Sequence, residues 1–344
     1  MNQLTVSIVT PTLNIMRVID EYLEGIIIQT YPHDKIEVLI ADGGSTDGTI
    51  EKLKEYNDKT DFDIRIYDNP LRTGEAGKAV AVRKAKSDVV LLLDSDNILP
   101  DPDWLDRMMK PFDEADIVAS EPIYFTYRKQ DSLVNRYCAV LGMGDPLCLF
   151  MGNYDRYSCV SGKWTTIPHE EIDKGDYLSI RFYDAIPTIG ANGFIMRTRA
   201  LNDNFDGEYL FDIDVLWKLF QKDSSLRVAK VKTGIVHLYC PDMKTFFRKQ
   251  KRRINDFLFF SDSKGREYPW TSFGKGRIVL FIICCITIVP LLIQALIGFI
   301  RKHDVKVWLF HFVACWITLI VYGLGTIKSL FGHTEASDRS TWKQ

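Results

Sequence analysis

Val89-Val90-Leu91-Leu92-Leu93-Asp94-Ser95-Asp96 is the stretch whose reading decides the fold. The apolar run is short and does not alternate with polar residues. That pattern fits a strand buried on both faces, as in a parallel sheet. Residues two apart in a strand point to the same side, so Asp94 and Asp96 share a side at its carboxyl end. Open α/β sheets bind ligands at that edge. Two carboxylates there suit a hard divalent cation, and such a cation neutralises a diphosphate.

The flanking sequence repeats the pattern. Residues 5–9 read as a strand ending in Thr10-Pro11-Thr12-Leu13-Asn14, and a helix is expected over about 15–30. Residues 37–40 read as a second strand, ending in Ala41-Asp42-Gly43-Gly44-Ser45-Thr46-Asp47-Gly48-Thr49. A helix over 49–56, a strand over 63–67 and a helix over 77–85 follow. Strands alternating with helices imply an α/β fold with a parallel sheet and right-handed crossovers. Residues 121–187 break the rhythm. They are rich in Tyr, Asp, Gly and Met and include Leu141-Gly142-Met143-Gly144-Asp145-Pro146-Leu147. They read as an insertion over the site that serves as a lid, an acceptor surface or a membrane contact.

The chain has 344 residues and a formal net charge of −2. This charge gives no bias toward nucleic acid. Basic residues nonetheless crowd one stretch: Arg248, Lys249, Lys251, Arg252, Arg253, Lys264, Arg266, Lys275 and Arg277. Residues 278–300 then form an uncharged run of about the length that crosses a bilayer, with Gln294 as its strongly polar residue and Pro290 as a kink site. Residues 307–327 are also uncharged apart from the titratable His311. The link between the runs, Arg301-Lys302-His303-Asp304-Val305-Lys306, is short. The pair reads as a transmembrane hairpin. Basic residues favour the cytoplasmic side, which puts residues 1–277 in the cytoplasm of a multi-pass protein at the cell membrane. The basic link pulls the other way, and a shallow re-entrant hairpin reconciles the two. The chain opens directly on a strand pattern, so no signal peptide is expected. None of the seven cysteines forms a C-x-x-C pair, so neither a zinc site nor a disulfide framework is suggested.

Four motifs stand in order at successive strand ends: Thr10 to Asn14, Asp42 to Thr49, Gly77-Lys78-Ala79, and Asp94-Ser95-Asp96. This series resembles the family 2 glycosyltransferases, which have the GT-A fold, a Rossmann-like, mainly parallel sheet flanked by helices. The likeness is strong over about 4–110 and looser over 185–255. It implies a nucleotide-sugar pocket lined by Pro11, Thr12, Asn14, Asp42, Lys78, Asp94, Ser95 and Asp96. Asp96 would ligate Mg2+ or Mn2+, with Asp94 on the ribose or on the metal through water. Each motif also has a plain structural reading as a turn or a helix cap.

Gly190-Ala191-Asn192-Gly193 resembles the acceptor-side segment of these enzymes, which gives Gly190, Asn192 and Gly193 acceptor roles. In Phe211-Asp212-Ile213-Asp214, related enzymes carry Glu where Phe211 stands. The resemblance makes Asp212 the catalytic base, with Asp214 second. His237 would approach the metal or the diphosphate. Arg252 and Arg253, in Arg248-Lys249-Gln250-Lys251-Arg252-Arg253, would meet the diphosphate. The run continues with Ile254 and Asn255 rather than Trp, which departs from the processive synthases.

The expected activity is inverting transfer from a nucleoside-diphosphate sugar, a UDP-sugar by family resemblance, with Mg2+ or Mn2+ as cofactor. The acceptor would be a hydroxyl of a lipid-linked or membrane saccharide in cell-envelope glycan synthesis. A polyprenyl-phosphate acceptor and a non-catalytic nucleotide-binding membrane scaffold are the alternatives. The expected domains are 1–255 (catalytic), 256–277 (juxtamembrane linker), 278–327 (hairpin) and 328–344 (polar tail).

Overall fold

A computed structural model describes residues 3–190, 192–262, 267–269 and 274–331. Ala191, Lys264, Arg266 and the tail beyond Phe331 lie outside the described residues. The chain begins β1 (Val6–Thr12), α1 (Ile19–Ile27), β2 (Ile36–Asp42), α2 (Thr49–Asn57), β3 (Asp63–Asp68), α3 (Gly74–Val82) and β4 (Val89–Leu92). It continues with β5 (Asn97–Ile98), α4 (Trp104–Met109), β6 (Ile117–Phe125), α5 (Leu133–Leu141), α6 (Pro146–Met151), β7 (His169–Asp173) and β8 (Tyr177–Phe182). Then come β9 (Phe194–Arg197), α7 (Thr198–Asn202), α8 (Asp212–Lys222), β10 (Arg227–His237), α9 (Met243–Asp262), α10 (Lys275–Thr287), α11 (Val289–Arg301) and α12 (Val305–Leu330).

The strands form one sheet in the order β3-β2-β1-β4-β9-β6-β10-β8-β7, with β5 added on β10. The first four are parallel neighbours. Beyond β4 the sheet is mixed: β9 is antiparallel to both β4 and β6, β6 and β10 are parallel, and β8 and β7 return antiparallel. Period-two side-chain alternation feeds two cores. Val6, Ile8, Val38, Ile40, Val89 and Leu91 face one side. Val9, Leu39, Ala41, Val90 and Leu92 face the other. Every residue of β4 is buried, as the uninterrupted apolar run requires.

Because β2 and β4 lie on opposite sides of β1, the loops leaving β1 and β4 diverge. Their carboxyl ends bound the crevice where such sheets bind ligands. β1 runs on through Pro11 to pair Thr12 with Asp42, farther than the strand expected over 5–9. β4 ends at Leu92, and the aspartates occupy the turn after it, in which Asn97 N–H donates to the Asp94 carbonyl.

Three segments take a form that the sequence pattern did not show. The supposed insertion at 121–187 contributes part of β6, and also β7 and β8, to the sheet, so its irregular part is the intervening α5–α6 region. The supposed linker at 256–277 begins inside α9. Within it, Tyr268 is buried in the core and donates to the Ile186 carbonyl (2.7 Å), because an aromatic ring with a polar tip gains by burial once that tip is satisfied. The apolar run 278–300 is two helices of 13 residues each, α10 and α11, meeting at 90°. Pro290, in the first turn of α11, has no N–H to continue α10, and its ring would clash with the carbonyl four residues earlier. Among the described residues, α12 is the one helix long and apolar enough to cross a membrane. The bent pair would count as a second only if it formed a single span.

Gly77 lies in α3 where the helix crosses β1. A Cβ there would sit 2.7 Å from Pro11 Cβ and 2.9 Å from Asn69 Nδ2. Gly77→Ala is therefore expected to push α3 off β1, at a cost of about 1–3 kcal/mol typical of overpacking. A lower thermal midpoint in detergent solution would record it, and an unchanged midpoint would contradict this packing.

Candidate active site

The loops after β1 and β2 brace each other. Asp42 Oδ1 accepts from Thr12 Oγ1 (2.8 Å) and Ser45 Oγ (2.6 Å), and its Oδ2 accepts from the N–H groups of Gly44 (2.8 Å) and Ser45 (2.7 Å). A carboxylate offers about four acceptor positions, so Asp42 spends its capacity shaping this loop. Asn14 adopts φ 54°, donates through its N–H to Ser45 Oγ (2.8 Å) and accepts from Thr46 N–H (2.8 Å). Pro11 packs beneath Gly77.

Thr73 caps α3 by accepting from Ala76 N–H (3.1 Å), and this fixes where Lys78 emerges. Lys78 Nζ lies 3.1 Å from Asp212 Oδ2 and 3.3 Å from Asp94 Oδ1. Burial works against its charge, but Asp212 and Asp94 more than offset that and hold its pKa above the usual lysine range. Asp212 is the first residue of α8. Burial pushes its carboxyl up to about 6, with the neighbouring Asp94 and Glu75 adding to the rise and Lys78 opposing it. Asp212 Oδ1 is buried and has no hydrogen-bond partner, an uncommon state for a buried carboxylate oxygen. Asp214, on the same helix, accepts from the Tyr268 N–H (3.2 Å), so its carboxylate anchors Tyr268.

Asp96 stands apart from Asp94. Its Oδ2 faces His237 Nε2 (3.6 Å) and Lys249 Nζ (3.8 Å). Burial would raise its pKa, yet the His237 ring and the Lys249 ammonium hold it down to about 2. Leu238 N–H donates to the Asp96 carbonyl (2.8 Å), tying the two strand ends together. Ser95 is buried between the aspartates. Asp96 and His237 could hold a divalent cation; among the described residues no cluster of three His, Cys, Asp or Glu side chains forms. One or two carboxylates beside substrate phosphates is a common ligation of Mg2+, so the Asp96 carboxylate fits a cation shared with a diphosphate.

Lys249 was not singled out from the basic run, because the run alone does not reveal which face of α9 meets the sheet edge. Lys249 lies over the Tyr239 ring, 4.3 Å from its centroid. Arg253 also lies over the Tyr239 ring, 5.9 Å from its centroid, and reaches Gly144, Gln250 and Asp145. Arg252 is half-buried on the same helix.

Gly190 and Asn192 rest on a buried ionic cluster. Glu121 and Arg156 are fully buried and paired at 2.7 Å, and Lys230 lies 2.5 Å from the same Glu121 oxygen. Arg156 also pairs with Asp155. Glu121 Oε1 accepts from Gly190 N–H (3.2 Å), and Arg156 Nη2 donates to the Asn192 carbonyl (3.2 Å). Asn192, at φ 60°, accepts on Oδ1 from Asn97 Nδ2 (3.2 Å), which also donates to Asp96 Oδ1 (3.1 Å). Gly190 has φ 127°, and a Cβ on it would fall 2.7 Å from Asp212 Cβ. Gly193 N–H donates to the Leu92 carbonyl (3.1 Å). The segment thus links Asp96 to Asp212. No local signal marked Glu121, Arg156 or Lys230, which lie far apart in the chain.

With this geometry in view, similarity to known proteins becomes informative. The family described as Glycosyl transferase family 2 matches residues 7–205. The chain belongs to this family. "Glycosyltransferase AglE" of Haloferax volcanii is 27% identical over 140 residues, 40% of this chain and 45% of that protein. A Methanococcus voltae protein named "Dolichyl N-acetyl-alpha-D-glucosaminyl phosphate 3-beta-D-2,3-diacetamido-2,3-dideoxy-beta-D-glucuronosyltransferase" is 32% identical over 108 residues, 31% of this chain and 33% of that protein. The match spans less than half the length of either relative. The family 2 fold also agrees with a solved structure, "Mannosyltransferase PcManGT from Pyrobaculum calidifontis in complex with GDP-Man and Mn2+". It superposes with a TM-score of 0.54 at 15% identity, over 94% of this chain and 88% of that one.

Glu121→Ala would leave Lys230 and Arg156 without their shared buried carboxylate. Breaking a buried ion pair from one side costs about 3–5 kcal/mol, so a markedly lower thermal midpoint is expected. A variant as stable as the parent would show that the cluster does not hold the segment.

Proposed function

We propose that this family 2 protein is an inverting glycosyltransferase, acting on a nucleoside-diphosphate sugar and a hydroxyl of a lipid-linked or membrane-associated saccharide. The observation that carries the proposal is Asp212: a buried carboxyl pushed up to about 6, beside Lys78, with one oxygen lacking a partner. A base poised near neutral pH suits proton abstraction from a hydroxyl. A phosphate acceptor, already ionised, needs no such base. The name of the Methanococcus voltae relative, which describes transfer onto a dolichyl-phosphate-linked sugar, favours the same choice.

The roles follow from position. The braced loops after β1 and β2, with Pro11, Thr12, Asn14 and Asp42, shape the nucleotide pocket. Lys78 and Lys249 supply positive charge near the departing diphosphate, and Arg252 is a further candidate. A divalent cation held by Asp96 and His237 would act as a Lewis acid toward that diphosphate. Mn2+ in the Pyrobaculum calidifontis complex agrees with the donor set. Gly190, Asn192 and Gly193 present backbone to the acceptor. The acceptor oxygen bonds to the anomeric carbon, the bond from that carbon to the diphosphate oxygen breaks, and the hydroxyl proton passes to Asp212. A single displacement inverts the anomeric centre. The apolar outer faces of α10, α11 and α12 would hold the enzyme at the membrane where such acceptors reside, with the catalytic domain in the cytoplasm.

Asp212→Asn is expected to lower transfer by about 10²–10⁴-fold, the usual share of a general base, while donor binding persists. Radiolabelled nucleotide sugar with extracted membrane lipids measures this. Mild acid then distinguishes the acceptors: label freed within an oligosaccharide supports the hydroxyl, whereas a single free sugar indicates a polyprenyl-phosphate acceptor and removes the base role. Asp96→Ala should abolish the response of transfer to added Mn2+.

Rate should fall as pH drops through about 6, because the base works only when deprotonated. Lys78 is the cation facing Asp212, while Asp94 and Glu75 are the neighbouring anions. In Lys78→Met the acid limb should therefore move to higher pH by about 1–3 units, the usual effect of a nearby opposite charge. An unmoved limb would mean that another group sets it.

A further inference from the structure

We infer that the C-terminal helices form a platform lying in the membrane interface on the same side as the catalytic domain, and that neither α12 nor the α10–α11 pair crosses the bilayer. This rests on the membrane reading above and gives it a geometry.

The helices contact polar groups of the catalytic domain near both ends of α12 and at the two outer ends of the α10–α11 pair. At the start of α12, its N-cap Asp304 pairs with Arg136 (2.5 Å) and accepts from Tyr127 Oη (2.8 Å). Near the other end, Tyr322 Oη donates to Asp145 Oδ2 (2.6 Å) and lies 3.1 Å from Gln250 Oε1. A helix of 26 residues is about 39 Å long. A helix crossing the bilayer would carry one end to the far side, away from a domain in the cytoplasm. The bent pair is tied down likewise. Arg277, in the first turn of α10, donates to the Met151 carbonyl, and Arg301, which ends α11, donates to the Cys159 and Val160 carbonyls (2.8 Å each). Each arm, at 13 residues, is about 20 Å long, short of a bilayer core of about 30 Å. The inner face of α12 also packs on α9, which carries Arg248, Lys249, Lys251, Arg252 and Arg253. Such a neighbour is foreign to the hydrocarbon core.

The outer face needs an apolar cover. Leu309, Val313, Trp316, Ile320 and Leu324 are exposed along one stripe of α12, and Ile286 and Leu296 extend the surface onto α10 and α11. Exposed Lys306 and Lys328 stand near the two ends of α12, and exposed Lys275 begins α10. An apolar stripe bordered by cations fits a bilayer with anionic headgroups, into which an interfacial helix sinks about 5–10 Å. A second copy of the chain is the competing occupant.

The position of the 301–306 link separates the arrangements. A spanning hairpin puts it across the membrane from the catalytic domain, whereas an interfacial platform keeps it on the same side. The test expresses the full-length chain, with its native cysteines replaced by serine or alanine, carrying either Lys59→Cys on the catalytic domain or Lys306→Cys on the link. Both positions are exposed. Sealed inverted membrane vesicles are treated with a membrane-impermeant maleimide, with and without detergent. The expected result is equal labelling of both cysteines before detergent, with the protein in the membrane pellet. Labelling of Lys306→Cys only after detergent would overturn the platform and leave the membrane reading intact. Recovery in the soluble fraction, as a monomer or as a dimer burying the stripe, would overturn both.

Discussion

Lys78 lies buried between Asp94 and Asp212, and the arrangement of the site depends on this ionic bridge. Asp94 follows a strand of the parallel half of the sheet, and Asp212 opens a helix that connects two strands of the mixed half, β9 and β10. One ammonium therefore joins the two halves of the sheet at the site. Buried charges are tolerated only when paired, so the bridge constrains its surroundings. α3 must sit close enough on β1 for Lys78 to reach, which is why the crossing point is Gly77 beside Pro11. Gly190 must likewise let α8 approach, since a side chain there would strike Asp212.

The same logic explains why the two aspartates of the Asp94-Ser95-Asp96 turn have separate surroundings. Asp94 turns toward Lys78, whereas Asp96 turns toward His237 and Lys249. One carboxylate thus serves the bridge while the other stays deprotonated and available for a cation. Behind them, the Glu121, Arg156 and Lys230 cluster holds Gly190 and Asn192, and Asn192 and Asn97 carry the support back to Asp96. The cluster is costly to bury, and it fixes Gly190 beside Asp212 and Asn192 beside Asn97.

The C-terminal region extends this framework. α5 and α12 share a core built from Tyr137, Leu141, Trp308, Phe310 and Ala314, while Asp145, Gln250, Arg253 and Tyr322 form a polar seam between α9 and α12. Since α9 also brings Lys249 to Asp96, the helix that packs on α12 is the helix that reaches the site. The α/β domain and the apolar C-terminal helices are thereby packed together along α9.

By itself the sequence determined the parallel half of the sheet, because the apolar run at Val89 to Leu93 and the loops at Thr10 and Asp42 carry local signals of period, turn chemistry and strand length. It also determined the order of the motifs, and so placed Lys78, Asp94, Asp96, Asp212 and His237 among the candidates. Only the tertiary structure decided which of these meet: Lys78 bridges Asp94 and Asp212, Asp96 faces His237, and Asp214 is spent on the Tyr268 backbone. It alone revealed Lys249, Glu121, Arg156 and Lys230 as neighbours of the site, and it broke the apolar run 278–300 at 90° with its ends held against the domain. The physical reason is the range of the forces involved. Periodicity and turn preference act between residues a few positions apart and are written along the chain. Ion pairing and burial join residues tens to hundreds of positions apart, and their partners are fixed only when the chain has folded.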